Sequence, residues 1–245
     1  MQSGKQNEID IITALTGKSF SDLEENWKKH IKTMFPHIKE SDMVHAYFYH
    51  DDHAKPDIVI TVNSYSVRLS IKSGRNPSCH MENYADFMGY LSKIGVPYRI
   101  QRIMYFYQFG RTEKLSNHGE PFTREQIQHD FRPYIKEVND FFLAHADIVK
   151  KIIYRSLIRG VRYKADPIDF FYYGSVNRGF LLSKEDIYRV ILKDPYTDSR
   201  AIHFYSLIFQ PDGRTTSKPN HLYIRIKWPV LCIKFYDDEF IEKYS

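Results

Sequence analysis

Cysteine is scarce in this chain. The two thiols, Cys79 and Cys232, are too few for a disulfide framework, and no Cys-x-x-Cys pair exists to build a zinc ribbon. Reduced thiols in a cytoplasmic protein are the simplest expectation. Long apolar runs are also lacking. No stretch approaches the roughly 18 apolar residues of a membrane span, and the polar opening MQSGKQNEID has no signal-peptide h-region. The chain is therefore expected to be soluble, with no membrane partner. Internal repeats and low-complexity tracts are missing. Gly17-Lys18-Ser19 has the ending of a P-loop, but position 12 is Ile where the pattern needs glycine, so the phosphate-cradling loop is not formed.

What is present is a globular, aromatic, mildly basic composition. With 245 residues, of which 42% are hydrophobic and 27% charged, the chain can bury a real core as one large domain or two small ones. Aromatics reach 16%, mostly tyrosine and phenylalanine. They suit either core filling or stacking on bases and sugars. The net charge of +5 permits a nucleic-acid partner without demanding one, so local clustering matters more than the total.

Periodicity gives a coarse map. A helix is expected over residues 5–15, closed by Gly17. A second is expected to open at Ser21 with Glu24 completing a capping box, its buried face made by Leu23, Trp27, Ile31, Met34 and Phe35. Residues 43–49, 57–62 and 65–72 read as strands, the last two joined by a hairpin at Asn63-Ser64. A helix over about 80–94 and a strand over 100–109 complete the expected order of the N-terminal part. After a polar loop at 110–121, residues 123–160 read as helical. A short helix at 183–192 and strands near 201–209, 221–228 and 230–236 follow, with a turn at Pro211-Asp212-Gly213. The expected organisation is a core over 1–121 and a helical and β-rich extension over 122–245, which can pack with the core as one unit.

The chemistry concentrates at Pro56-Asp57 and Ser70-Ile71-Lys72. A hairpin at 63–64 sets residue 57 almost opposite residue 70, and strand alternation puts Ser70 and Lys72 on one face. A carboxylate, a hydroxyl and an amine then converge. Phosphodiester hydrolysis needs such a point, with a dication to bind phosphate and acidify water and a cationic amine near the nucleophile.

In these residues, and in the expected order of elements around them, the sequence resembles the PD-(D/E)xK nuclease superfamily. The resemblance implies an α/β, restriction-endonuclease-like fold, a mixed β-sheet core flanked by helices. It implies a Mg²⁺- or Mn²⁺-dependent endodeoxyribonuclease acting on DNA, of restriction or phage-defence type, with a homodimer admitted. Asp57 and the carbonyl of Ile71 would be metal ligands, and Lys72 would position or activate the attacking water. An acid from the N-terminal helical region would complete the site, with Glu8 the first choice and Glu24 the second. The departure is Ser70, which stands where the family has its second acid, and a neutral hydroxyl is a weaker ligand for a hard cation. The run from Ser70 to Gly74, followed by Ser78-Cys79-His80-Met81-Glu82, is similar to a group of restriction-endonuclease-like proteins in which that serine is normal. His80 and Glu82, at the entrance of the expected helix, would then supply the base or ligand. Without the resemblance, Asp57 is a strand-start residue, Lys72 a solvated strand end, His80 a helix-start side chain and Glu82 a first-turn dipole partner.

Residues 149–164 carry Lys150, Lys151, Arg155, Arg159, Arg162 and Lys164 with no acid among them. Spacings of four put Lys151, Arg155 and Arg159 on one expected helical face, suited to phosphate neutralisation or simply to solvent. The aromatic tail, Phe170 to Tyr173 and the alternating run ending at Trp228, suits a target-recognition module or core completion. Two other readings stay beside the nuclease: a catalytically inactive nucleic-acid-binding module, and a protein-interaction domain.

Overall fold

The computed structural model describes residues 4–51, 54–75, 77–112, 114–161, 166–193, 195, 200–211 and 222–244. In chain order the elements are α1 (Gly4–Leu15), β1 (Lys18–Ser19), a 3-10 turn (Phe20–Asp22), α2 (Glu25–Met34), β2 (Met43–Phe48), β3 (Ile58–Val62), β4 (Tyr65–Lys72) and β5 (Ser78–Asn83). Then come α3 (Tyr84–Lys93), α4 (Tyr98–Phe109), α5 (Arg124–Asp130), α6 (Arg132–Ala144), α7 (Ala146–Ile153) and a π-helical turn (Tyr154–Arg159). The chain ends with β6 (Phe170–Ser175), β7 (Arg178–Ser183), α8 (Lys184–Lys193), β8 (Ile202–Phe204), β9 (Leu207–Pro211), β10 (Tyr223–Lys227), α9 (Val230–Phe235) and α10 (Asp238–Tyr244). It divides into two compact units. The first comprises Met1–Pro77, Leu157–Arg189 and Val230–Ser245, and the second Ser78–Ser156 and Val190–Pro229. Each unit thus takes segments from both sides of residue 121.

The first unit is built on a mixed sheet of order β1-β2-β3-β4-β6-β7, flanked by helices. Its centre is the hairpin read from the sequence. Val62 pairs with Tyr65 and Ile58 with Leu69, so the two-residue turn falls at Asn63-Ser64, where Asn63 takes φ 53°. Asparagine tolerates that left-handed conformation better than other non-glycine residues. β3 and β4 alternate little in burial because helices and neighbouring strands cover them, and Ile58, Ile60, Leu69 and Ile71 all lie in the core. β6 then lies parallel to β4, with Leu69 opposite Phe170 and Lys72 opposite Tyr173. Arg68 locks that pairing through Nε to Asp169 (2.8 Å) and Nη1 to Asp166 (3.1 Å). The aromatic run of residues 170–173 completes the core, for Phe171, Tyr172 and Tyr173 are buried.

Helix α2 begins at Glu25, not at Ser21. Residues 20–22 form a 3-10 turn, and Ser19 Oγ and Asp22 close it at 2.6 Å, so the expected capping box is not made. The stripe of Trp27, Ile31 and Met34 is buried as its spacing requires. His30 is buried with it, ring-edge against Trp27 (5.5 Å) and Tyr172 (5.4 Å), and neither ring nitrogen has a hydrogen-bond partner. Burial, with Lys29 adding repulsion, lowers its pKa to about 4. The unfolded chain therefore binds the proton first, and stability falls as pH drops from the ordinary histidine value towards about 4. The whole loss approaches roughly 3 kcal/mol. His30→Phe is expected to remove this acid sensitivity, giving similar urea midpoints at pH 7 and pH 5. A variant that still loses stability on mild acidification would place the sensitivity elsewhere.

The second unit carries an antiparallel sheet of order β5-β10-β9-β8 with α3 to α7 around it. Several expectations change here. Residues 80–83 are the end of strand β5, and α3 starts only at Tyr84, capped by Asn83, whose side chain accepts from the Ala85 amide at 2.8 Å. Residues 100–109 are helical, not extended. Ile100, Met104 and Tyr107 are buried at spacings of four and three. Their aromatic and β-branched company favours strands locally, and the burial period overrides it. The segment near 201–209 is a tight hairpin, β8 and β9, with Tyr205 at φ 56° between them. The stretch expected as a strand at 230–236 is helix α9, in the first unit. Asp212, Gly213 and His221 lie outside the described residues.

Candidate active site

Asp57 stands one residue before β3 and already belongs to its ladder. Its amide donates to the Leu69 carbonyl (2.7 Å), and its carbonyl accepts from the Tyr49 amide (3.1 Å). With Ile58 opposite Leu69, residue 57 faces residue 70, as the hairpin arithmetic requires. One carboxylate oxygen, Asp57 Oδ2, accepts from Ser70 Oγ (3.0 Å), the Ile71 amide (2.5 Å) and Lys72 Nζ (3.1 Å). Lys72 Nζ also donates to the Ile71 carbonyl at 2.8 Å. The Asp57 and Lys72 side chains retain 23% and 22% exposure, so the cluster is sheltered yet reachable. Beyond β4, Gly74 adopts φ 89°, and its carbonyl accepts from Tyr173 Oη at 2.5 Å, fixing the chain just after the lysine.

Helix α1 brings the second carboxylate. Asn7 is buried and its Nδ2 donates to the Gly174 carbonyl (2.8 Å), which ties the helix to the end of β6. At the helix's far end Thr16 Oγ1 donates to the Ala46 carbonyl (2.8 Å). Glu8, the next residue after Asn7, is half-buried, and its pKa is raised, first by burial and next by the Asp57 charge, with Lys72 and Lys5 pulling the other way. Glu8 thus shares its surroundings with both ends of the Asp57–Lys72 pair. It was the first choice from sequence. Asn7, which holds its helix, carried no sequence signal.

The raised pKa has a measurable sign. A carboxyl whose pKa is raised on folding lowers stability once pH exceeds its ordinary value, because the unfolded chain gives up that proton more readily than the native one. Glu8→Gln is expected to raise the thermal midpoint without dication, by less than about 1 kcal/mol because solvent screens a half-exposed group. The same change is expected to weaken Mn²⁺ binding by calorimetry. Unchanged Mn²⁺ affinity in Glu8→Gln would remove Glu8 from the site.

Other expected residues lie differently. Ser70 is fully buried, so it is a hydrogen-bond donor to Asp57 and does not face an open cleft. Ser70→Glu has no room for its carboxylate and is expected to destabilise the fold by about 3 kcal/mol or more. A urea midpoint equal to the parent's would contradict that. Glu24 is an exposed N-cap residue of α2. His80 and Glu82 are buried on β5 in the second unit. There Glu82 is held by His80 Nε2 (3.1 Å) and Arg155 Nη2 (2.8 Å). They are not residues of a helix entrance. The expected cationic stripe is also interrupted. After α7 the backbone passes into the π-helical turn at Tyr154, so a spacing of four no longer keeps one face. Arg155 turns inward, Arg159 is half-buried, and Lys150 and Lys151 remain exposed. Arg162 and Lys164 lie outside the described residues.

Among the described residues no group of three His, Cys, Asp or Glu side chains is gathered to hold a metal. The oxygen ligands on offer are the Asp57 carboxylate, the Ile71 carbonyl and the Glu8 carboxylate, which is electrostatically coupled to Asp57 and Lys72. That set fits Mg²⁺ or Mn²⁺, which commonly binds one or two carboxylates and fills its shell with water and substrate phosphate oxygens. No family model and no curated protein matches this chain.

Proposed function

We propose that the chain is a metal-dependent endonuclease of restriction-endonuclease-like fold that hydrolyses DNA phosphodiester bonds. The observation that carries the reading is the convergence of Ser70, Ile71 and Lys72 on Asp57 Oδ2, with Glu8 electrostatically coupled to the same pair. A mixed sheet flanked by helices, with this hairpin at its centre, supports the fold. In this reading Asp57, Glu8 and the Ile71 carbonyl would hold the dication, which would supply Lewis acidity at the phosphate and acidify water. Ser70 and the Ile71 amide hold the Asp57 carboxylate in place. The Lys72 ammonium, already seated between the two oxygens of the site, sets the orientation of the attacking water and offsets charge developing on the phosphate. Exposed Lys150 and Lys151 add non-specific phosphate attraction.

One observation favours a second reading, a nucleic-acid-binding module without catalysis. Ser70 stands in place of an acid, and Lys72 Nζ donates to both Asp57 Oδ2 and the Ile71 carbonyl, the oxygens a dication would need. Incubation of plasmid DNA and of single-stranded oligonucleotides with Mg²⁺, Mn²⁺ or EDTA separates the readings. Dication-dependent nicking supports the nuclease. Salt-dependent binding without cleavage in either metal supports the module, and neither binding nor cleavage overturns both.

A further inference from the structure

Two adjoining clefts on the second unit, of about 510 Å³ and 320 Å³, share Tyr98, Arg102 and Thr112 as a common wall. We propose that this double cleft binds a nucleotide unit, a base carrying a phosphate, whether free or within a single strand.

The chemistry of the wall carries the assignment. Tyr98 is 72% exposed and Tyr105 44%, so both present ring surface to an incoming planar group. Tyr134 adds a third exposed ring on the larger cleft. Exposed aromatic rings of this kind are stacking platforms that accept any base, because every base has a π face. Arg102 packs over the Tyr98 ring at 5.8 Å, and among the described residues no carboxylate pairs with it. The neighbouring Arg99, by contrast, is bound to Glu137. Arg102 therefore keeps its guanidinium donors for an anion beside the stacking surface, the geometry in which arginine recognises phosphate.

The second observation is a hydroxyl. Tyr84 lines the smaller cleft and is 7% exposed, yet its Oη has no hydrogen-bond partner. A buried hydroxyl without a partner costs stability. Its ring is held edge-on to Phe109 (5.0 Å) and Tyr105 (6.1 Å), so it cannot simply swing out to solvent. A polar base edge entering the smaller cleft beside Tyr105 would supply the missing partner once the wall opens to this hydroxyl.

The cleft's residues belong to the second unit and Asp57 to the first, and the inference does not need hydrolysis at Asp57. The test uses the full chain carrying Asp57→Asn, so that no probe is consumed. Calorimetry with deoxynucleoside 5′-monophosphates, the unphosphorylated nucleosides, inorganic phosphate and a short oligothymidylate gives the arms. Monophosphates are expected to bind more tightly than nucleosides. Arg102→Ala is expected to lower monophosphate affinity by about tenfold and to leave nucleoside affinity unchanged. Tyr98→Ala is expected to lower both by about tenfold. Tyr84→Phe removes one oxygen, and is expected to weaken base binding severalfold with the thermal midpoint held or raised. Tighter binding of the oligothymidylate than of its monophosphate assigns a strand, and equal binding assigns a free nucleotide. Absence of binding by every probe overturns the proposal, as does binding that Arg102→Ala and Tyr98→Ala leave unchanged.

Discussion

Asp57→Asn is expected to lower dication-dependent DNA cleavage by on the order of 10³-fold, with the fold and DNA affinity retained. The change keeps the shape of the side chain and removes its charge. Three donors now meet on Oδ2, from Ser70, Ile71 and Lys72. The amide oxygen of asparagine accepts from some of them, but it holds a hard dication far more weakly than a carboxylate does. Its cost in stability is therefore modest, about 1–3 kcal/mol for the lost charge-assisted hydrogen bonds. Single-turnover cleavage in Mn²⁺ and filter binding in EDTA separate catalysis from affinity. Cleavage within a factor of a few of the parent rate would exclude Asp57 as the metal anchor. Lys72→Met gives the complementary measurement. If the ammonium only neutralises Asp57, its removal leaves dication affinity equal or higher with cleavage intact. If it orients the nucleophile, cleavage falls while dication binding holds.

The hairpin and its three converging groups were legible because everything needed was local. The two-residue turn, the period of two and the side-chain chemistry of residues 57–72 determine who faces whom. The strand that flanks β4 was not legible, because β6 arrives about a hundred residues later and pairs through a register that no local pattern states. The seat of Glu8 has the same character: Asn7 reaches Gly174 across a separation of 167 residues. The strand expected over residues 100–109 failed for a different reason. Their composition favours a strand, while Ile100, Met104 and Tyr107 carry a helical burial period that only packing reveals. The basic run at 149–164 shows the limit of counting charge. Its formal charges do not say that Arg155 has a buried acid 73 residues away, nor that the helix changes its winding at Tyr154.

Arg155→Ala is consequently expected to destabilise the second unit by about 3–5 kcal/mol, not merely to weaken phosphate binding. The Glu82 side chain is 3% exposed, and Arg155 donates to it from Nη2 (2.8 Å) and Nε (3.2 Å) while stacking over Tyr90 at 4.5 Å. Burial by itself would raise the Glu82 pKa, but the hydrogen bonds and charges of His80 and Arg155 outweigh it and hold the carboxyl below its ordinary value. Its stabilising contribution is therefore complete above the ordinary glutamate range and is lost as pH falls through the depressed native value. Removing the arginine leaves an ion in a dry site with only the imidazole beside it, and the carboxyl then holds a proton more readily. The chain has two tryptophans, so in a Trp27→Phe background the emission of buried Trp228 follows the second unit alone. Urea midpoints read that way should drop sharply for Arg155→Ala. They should drop less for the double change Arg155→Met with Glu82→Leu, because an apolar pair avoids the desolvation that the lone carboxylate suffers. A single variant that costs under about 1 kcal/mol would mean that Glu82 is already protonated or hydrated in the native protein, and would return Arg155 to the set of residues available for phosphate.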